Sequence, residues 1–373
     1  MRAPDITYLT DLYVGCGSVA LVPELLARFA VDRPLVVTDA GLMELAMVRQ
    51  LALGTPAVFS DTETNPTEAN LRAGLARYRE AGCDGIVALG GGAPLDLAKL
   101  IGLMAEHAPP LEQYAILNGG TARIAALVPP IIAVPTTAGS GSEVGRAALL
   151  KLDSGHKVGF LSEHLLPRAA VCDPELTVSM PPGLTAATGM DAISHCVETY
   201  CSSRANPVAD AIALDGLGRG WRAIRRAFAD GADRDARAEM MNCSLMGGLA
   251  FQKGLGAVHS LSHPLGALDG LQLHHGTLNA LFLAPVLRFN SAACPAKMDG
   301  LAKVLGLDSA ADVAAAFDSL VRQLGLPRRL RDLKVPKEAL DALVRPAALD
   351  HCSATNPRSF DERAARRLYA ETW

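Results

Sequence analysis

The stretch Gly85-Ile-Val-Ala-Leu89 ends in Gly90, Gly91 and Gly92 and passes into a helical pattern over Leu95 to Glu106. A short apolar run stopped by glycine reads as a strand buried on both faces. A helix directly after it makes a βα unit, and neighbouring segments repeat the device. Leu35-Val-Val-Thr38 follows Pro34, Ala57-Val-Phe59 follows Pro56, and Pro130-Ile-Ile-Ala-Val134 runs into PTTAGSGSE at 135–143. Helical patterns lie between. One begins at Asn65-Pro-Thr-Glu68, where Asn65 can cap, Pro66 fits the first turn and Glu68 takes the capping-box position. Strands alternating with helices predict an α/β domain with a doubly wound, mainly parallel sheet.

The pattern changes near Asp173-Pro174. Beyond Pro181-Pro182 only helical periodicity is present, over roughly 185–201, 207–229, 234–251, 256–267, 276–291, 295–305, 308–324, 336–348 and 360–371. Pro207, Pro295 and Pro336 stand at helix starts, and Gly231, Gly306 and Gly325 near ends. A chain of 373 residues has room for two such domains. The expected division is an α/β dinucleotide-binding domain over 1–178 and an all-helical metal-binding domain over 179–373.

Several partner classes are not supported. The net charge is −4 and no Lys/Arg-rich run occurs, so there is no nucleic-acid footprint. Arg222–Arg226 and Arg328–Arg331 fall in helical patterns and read as solvated faces. The most apolar run, Ile124–Val134, is broken by Pro129 and Pro130, so no membrane span is expected. The opening MRAPDITYLT lacks a signal peptide's apolar core. Eight scattered cysteines without CxxC spacing read as reduced thiols of a cytoplasmic protein.

Two glycine-rich turns compete for a dinucleotide. Gly15-Cys-Gly17-Ser-Val-Ala20 is a formal GxGxxA with Asp39 at about the Rossmann interval, but Thr7–Leu12 before it makes a poor buried strand. The Gly90–Gly92 turn follows a better strand. Its glycines let the backbone approach a pyrophosphate, and the following helix N-terminus supplies N–H groups and partial positive charge. The GK[ST] of a P-loop is absent. Asp39, just after a strand, can accept from an adenosine ribose and repel a 2′-phosphate, favouring NAD over NADP. It can also cap the helix starting at Gly41, and both roles can hold together. Thr136, Thr137, Ser140 and Ser142 line a third loop at a strand's carboxyl end.

The metal signal is histidine spacing. His259 and His263 are four apart, as are Asp191 and His195, which on helices puts each pair on one face. His274 and His275 follow. Carboxylate with several imidazoles suits Fe²⁺ or Zn²⁺. Spacing alone leaves open which subset binds. HExxH is absent.

These motifs stand together in GGGAPLDLAK at 90–99, PTTAGSGSEV at 135–144, GMDAISHCVE at 189–198, GAVHSLSHPLGA at 256–267 and HHG at 274–276, with Asn356-Pro-Arg358 near the end. In them the chain resembles the iron-containing (group III) alcohol dehydrogenases, of dehydroquinate-synthase-like fold, along essentially its whole length. The resemblance implies that Gly90, Gly91 and Gly92 hold the pyrophosphate, and it counts Asp96 of the same motif with the cofactor residues. Asp39 then lies near the adenosine ribose, Thr136, Thr137 and Ser140 surround the cofactor, and Lys157 sits beside its ribose. It implies that Asp191, His195, His259 and His275 ligate the metal, with His275 preferred over His274 because it directly precedes Gly276. His263 becomes a candidate for proton transfer, and the Gly15 turn is demoted.

The implied reaction is reversible hydride transfer between a primary alcohol and NAD⁺, assisted by Fe²⁺ as Lewis acid, with Zn²⁺ also accepted by this ligand set. Homodimers or higher homo-oligomers are implied. A dehydroquinate-synthase-type lyase is the alternative, and the full ligand set argues against a maleylacetate reductase. Arg146 and Lys253 are the cations that this reading turns toward a short anionic aldehyde. Solvent-facing placement is the other reading.

Overall fold

The computed structural model describes Tyr8, residues 10–268 and residues 270–373. These gather into two compact units, one running to Val178 and one from Ser179 onward.

The first unit contains β1 (Asp11–Val14), α1 (Val22–Arg28), β2 (Pro34–Val37), α2 (Ala40–Glu44), β3 (Ala57–Phe59), α3 (Glu68–Glu80), β4 (Gly85–Gly90), α4 (Gly92–Glu106), β5 (Ile131–Pro135), β6 (Ala147–Lys151), β7 (Lys157–Leu161) and β8 (Ala169–Cys172). Six strands pair in parallel in the order β1-β8-β5-β4-β2-β3. The remaining pair, β6 and β7, is an antiparallel hairpin.

The sheet has a turning point. From β2 the chain moves outward to β3, but from β4 it moves the other way, to β5 and β8. Right-handed crossovers then put the connecting segments on opposite faces. The gap at the carboxyl ends of β2 and β4 is therefore a topological switch point, where such sheets bind ligands.

Strand alternation explains the continuous apolar runs. Leu35, Val37, Ile86, Ala88, Ile131 and Ala133 face one core, with Leu97 and Ile101 of α4. Val36, Val87, Leu89, Ile132 and Val134 face the other, with Leu25 and Leu26 of α1. Both faces are covered, so neither parity of the strand can be polar. Each fully buried Leu or Ile contributes about 1.5–3 kcal/mol to this packing.

Two local readings are corrected. The capping box of α3 is Thr67 with Asn70, not Asn65 with Glu68. Thr67 Oγ1 accepts from Asn70 N at 3.3 Å and Asn70 Oδ1 accepts from Thr67 N at 2.9 Å. The Pro66 carbonyl accepts from Lys151 N at 2.9 Å, so the chain there is tied to the hairpin before the helix begins. The weak strand signal ahead of Gly15 is β1, shifted to Asp11–Val14. It is an edge strand with Leu12 and Val14 exposed, so it lacks a buried strand's apolar run. Thr7 and Leu9 lie outside the described residues.

Among its described residues the second unit has helices and no strand; the α-helices are α5 (Pro182–Cys201), α6 (Pro207–Ala229), α7 (Arg234–Ala250), α8 (Ala257–Leu265), α9 (His275–Asn290), α10 (Pro295–Leu305), α11 (Val313–Gln323), α12 (Leu340–Leu349) and α13 (Glu362–Thr372). Every residue of α5 from Thr185 to Cys201 is buried, which makes it the central helix. Helices α6, α7 and α9 pack around it. Small residues permit this: a Cβ at Gly220 of α6 would come 2.5 Å from Cys243 Sγ of α7. The expected α/β region followed by an all-helical one is the observed architecture. No described helix is long and apolar enough to cross a membrane.

Candidate metal and dinucleotide sites

Helices of the second unit bring ligand atoms of Asp191, His195 and His259 within 4.8 Å of one another, and His275 stands beside this set, 3.8 Å from Asp191. Asp191 and His195 lie one turn apart on α5, His259 is in the first turn of α8, and His275 opens α9. Asp191 Oδ1 is 3.9 Å from His195 Nε2, 3.9 Å from His259 Nε2 and 3.8 Å from His275 Nε2. These gaps exceed hydrogen-bond length. Ligands held at about 2.1 Å around one ion stand roughly 3.4 Å apart or more, so the spacing is that of a ligand set, slightly expanded. Asp191, His195 and His259 are buried, whereas the His275 side chain keeps 32% of its surface exposed. The donor set and its one open side fit a catalytic divalent ion.

Further side chains hold this cluster in place. Glu198, one turn beyond His195 on α5, accepts from His259 Nδ1 at 2.5 Å and from Val258 N at 2.7 Å. Burial pushes the His259 pKa down, but Glu198 outweighs it and the net direction is upward. Asn279, one turn into α9, places Nδ2 2.7 Å from Asp191 Oδ1. None of the spacing arguments found Glu198 or Asn279. The signal was available: Glu198 continues the face of Asp191 and His195, and Asn279 is four residues after His275.

His263 lies beside the cluster. Its Nδ1 is 2.9 Å from Asp350 Oδ2, and its ring is stacked between those of His275 and His351 at 5.4 and 5.7 Å. Burial raises the Asp350 pKa, yet His263 reverses this and holds it well below the usual carboxylate range. His263, Asp350, His351 and Cys352 also satisfy a metal-binding spacing. Asp350 is already committed, however, with Oδ1 accepting from Cys352 N at 2.9 Å. His274 is the N-cap residue of α9. Burial lowers its pKa, and Nδ1 has no hydrogen-bond partner among the described residues. Of the doublet, His275 Nε2 lies 3.8 Å from Asp191 Oδ1.

Lys253 does not face a pocket. It is 2% exposed, and Nζ donates to Asp210 Oδ1 at 2.5 Å and to the Thr199 carbonyl at 2.9 Å. A buried ammonium needs such partners, and these consume it. Arg146 is half-buried just before β6.

In the first unit, the loops after β2, β4 and β5 converge at the switch point. Gly90 ends β4 at φ 152°, a value for which a side chain is strained; a Cβ there would also meet Pro94 Cγ at 2.6 Å. A Cβ on Gly91 would lie 3.2 Å from Thr137 Oγ1, and one on Gly92 3.0 Å from Ser140 Cβ. The two loops form a tight backbone cradle at the N-terminus of the 15-residue α4, which is suited to a pyrophosphate. Asp39 caps α2, with Oδ1 accepting from Leu42 N at 3.0 Å. Thr136 is buried, its N–H donating to the Gly90 carbonyl at 3.0 Å.

Asp96 supports the cradle from behind. Its Oδ1 accepts from Ser142 Oγ at 2.6 Å and its Oδ2 from Leu149 N at 2.9 Å. Lys99, fully buried, donates to Ser142 Oγ and to the Gly145 and Ala147 carbonyls, each at 2.8 Å. Lys157, at the start of β7, donates to Asn65 Oδ1 at 2.9 Å. At the Gly15 turn, the Val19 N–H is taken by Asp173 Oδ2 at 3.1 Å, and a 3₁₀ turn over Ser18–Leu21 separates the glycines from α1.

A family profile described as "Iron-containing alcohol dehydrogenase" matches residues 10–174, and one described as "Fe-containing alcohol dehydrogenase family, C-terminal" matches residues 185–373. The chain is 50% identical over 379 aligned positions to a 4-hydroxybutyrate dehydrogenase of Cupriavidus necator, covering 98% of this chain and 99% of that protein. It superimposes on a crystal structure of 1,3-propanediol oxidoreductase with a TM-score of 0.94 at 36% identity, covering 100% of both chains. On sulfoacetaldehyde reductase from Bifidobacterium kashiwanohense in complex with NAD⁺, the TM-score is 0.89 at 27% identity, covering 100% of this chain and 99% of the other.

Proposed function

Since the chain belongs to the iron-containing alcohol dehydrogenase family, we propose that it interconverts a short ω-hydroxy carboxylate of the 4-hydroxybutyrate type and its semialdehyde, using NAD and Fe²⁺. It is an oxidoreductase acting on CH–OH groups. The observation that carries the site assignment is the approach of His195, His259 and His275, each through Nε2, to one oxygen of Asp191. The substrate class rests on the relative at 50% identity. The choice of NAD rests on Asp39, whose charge opposes a 2′-phosphate, and on the NAD⁺-bound structural relative.

In this reading the segment 1–178 binds the dinucleotide and 179–373 the metal. Asp191, His195, His259 and His275 hold the ion. Bound there, the ion supplies Lewis-acid polarisation of the substrate oxygen, while the nicotinamide supplies the hydride chemistry. Gly90, Gly91 and Gly92 seat the pyrophosphate, Thr136, Thr137 and Ser140 shape the facing loop, and Asp96 and Lys99 hold that loop in place. Lys157 lies at the ribose end. His263 takes and releases the alcohol proton, with Asp350 fixing its Nδ1–H so that Nε2 carries the exchange. Free thiols at all eight cysteines accord with a cytoplasmic enzyme, and the family reading makes it a homodimer or higher homo-oligomer.

The test is NADH formation by Fe²⁺-loaded enzyme with 4-hydroxybutyrate, 1,3-propanediol and ethanol. The hydroxy acid should give the highest kcat/KM. No NADH with any primary alcohol would overturn the reaction, and equal rates on all three would overturn the substrate class. His195→Ala and His259→Ala should each lose the metal and more than about 100-fold of turnover. Full metal content and wild-type turnover in both would overturn the ligand set.

A further inference from the structure

The two carboxylates of α5 do different work. Asp191 points Oδ1 at the imidazole cluster. Glu198 reaches the start of α8 and the outer nitrogen of His259, and is 5% exposed. That helix has no cap of its own, because its N-cap residue is Gly256, which has no side chain to accept from the first turn. Two foreign oxygens take the orphan N–H groups instead. Ala257 N donates to Asn356 Oδ1 at 3.1 Å and Val258 N to Glu198 Oε1 at 2.7 Å. Gly256 is needed there, since a Cβ would come 2.7 Å from Asn356 Oδ1 and 2.9 Å from Glu198 Oε1. Asn356 is held in turn by Asn290 Nδ2 at 2.9 Å and by its own bond to the Arg358 carbonyl at 2.7 Å. The Asn356-Pro-Arg358 motif thereby gains a role, as the second half of a borrowed helix cap.

The other oxygen of Glu198 reaches His259 Nδ1 at 2.5 Å. A neutral imidazole carries one proton, and which nitrogen holds it depends on the partner of the other. A carboxylate only accepts, so it selects the Nδ1–H tautomer and leaves the Nε2 lone pair directed at the cluster.

We propose that Glu198 is the positioning residue of the metal site: with one oxygen it fixes the start of α8, and with the other it sets the tautomer and ring orientation of His259. The inference rests on the reading of His259 as a metal ligand. Glu198 touches neither substrate nor cofactor. Its effect passes through one ligand, and it ties that ligand to the helix that carries two others.

The test uses Glu198→Gln in the full chain. The amide keeps the size of the side chain and an oxygen for Val258 N–H, but its NH₂ then opposes Nδ1–H and favours the tautomer with a proton on Nε2. Zinc affinity, measured by chelator competition, should fall about 10- to 100-fold. The melting temperature of the metal-free form is followed in parallel. A lower melting temperature with zinc affinity within about threefold of wild type would overturn the proposal, leaving Glu198 as a helix cap only. A measurement on the wild type covers the case in which the variant does not fold. In zinc-loaded protein with ¹⁵N-labelled histidine, His259 should show a proton on Nδ1 and none on Nε2, and the reverse pattern would overturn the proposal. Failure of the wild type to bind zinc at all would overturn the ligand set and this inference together, whereas normal wild-type binding with an unaffected variant overturns the inference alone.

Discussion

Asn279 Nδ2 lies 2.7 Å from Asp191 Oδ1, and the same nitrogen is 3.1 Å from His259 Nε2 and 3.0 Å from His275 Nε2. One amide nitrogen, with two protons, faces three of the four groups of the cluster. Three acceptors around it require the NH₂ end there, and the oxygen is left buried without a hydrogen-bond partner. The amide therefore donates to Asp191 and faces the Nε2 atoms of His259 and His275. Asn279→Ala should destabilise the metal-free protein by about 1–3 kcal/mol, a fall of roughly 3–8 °C in melting temperature. Zinc-loaded protein should lose less, because the ion then binds the acceptors that the amide faces. Equal losses in the two forms would show that Asn279 is only a packing residue.

Asp39 carries two roles that a substitution can separate. Its Oδ1 caps α2 through Leu42 N, at the end of β2 beside the glycine turn of β4. Asp39→Asn keeps a good cap but removes the charge. The preference for NAD over NADP, as a ratio of kcat/KM values, should fall about 10- to 100-fold, and Asp39→Gly should do the same at some cost in stability. An unchanged ratio in Asp39→Asn would mean that Asp39 is a cap and nothing more.

What could be read from the chain follows the physics of each feature. The buried strands β2, β4 and β5 announce themselves because both faces are covered, so every position is apolar. Strand β8 is Ala-Ala-Val-Cys, with too little bulk to stand out, and β1 is an edge. The β6–β7 hairpin left a usable sign, Asp153-Ser154-Gly155, with Gly155 at φ 85°. At the site, His259 and His263 share a helix face, yet the structure directs only His259 at Asp191, because His263 is turned to Asp350. Asp350 comes from 87 residues away, and no local spacing reports such a partner. Lys253 shows the opposite error: a cation near the histidines in sequence was consumed by Asp210, on a different helix.

Glu143 offers a prediction about pH. It follows the β5 loop, is 1% exposed, and its Oε1 has no hydrogen-bond partner among the described residues. Burial raises its pKa from 4.5 to about 7, with Lys99 opposing only in part. A carboxyl whose folded pKa exceeds its unfolded value stabilises the fold most below the unfolded pKa, and that contribution is lost as pH rises through the folded one. Between pH 5 and pH 8 the loss is roughly 2–3 kcal/mol. Lys99, lowered by burial to about 8, regains stability only above that window, as it sheds its proton before the unfolded chain does. Glu143→Gln removes the titration. The variant should therefore match wild type near pH 5 and melt about 5–10 °C higher at pH 8. A constant difference in melting temperature across that range would mean that Glu143 is not the group whose ionisation limits the fold at alkaline pH.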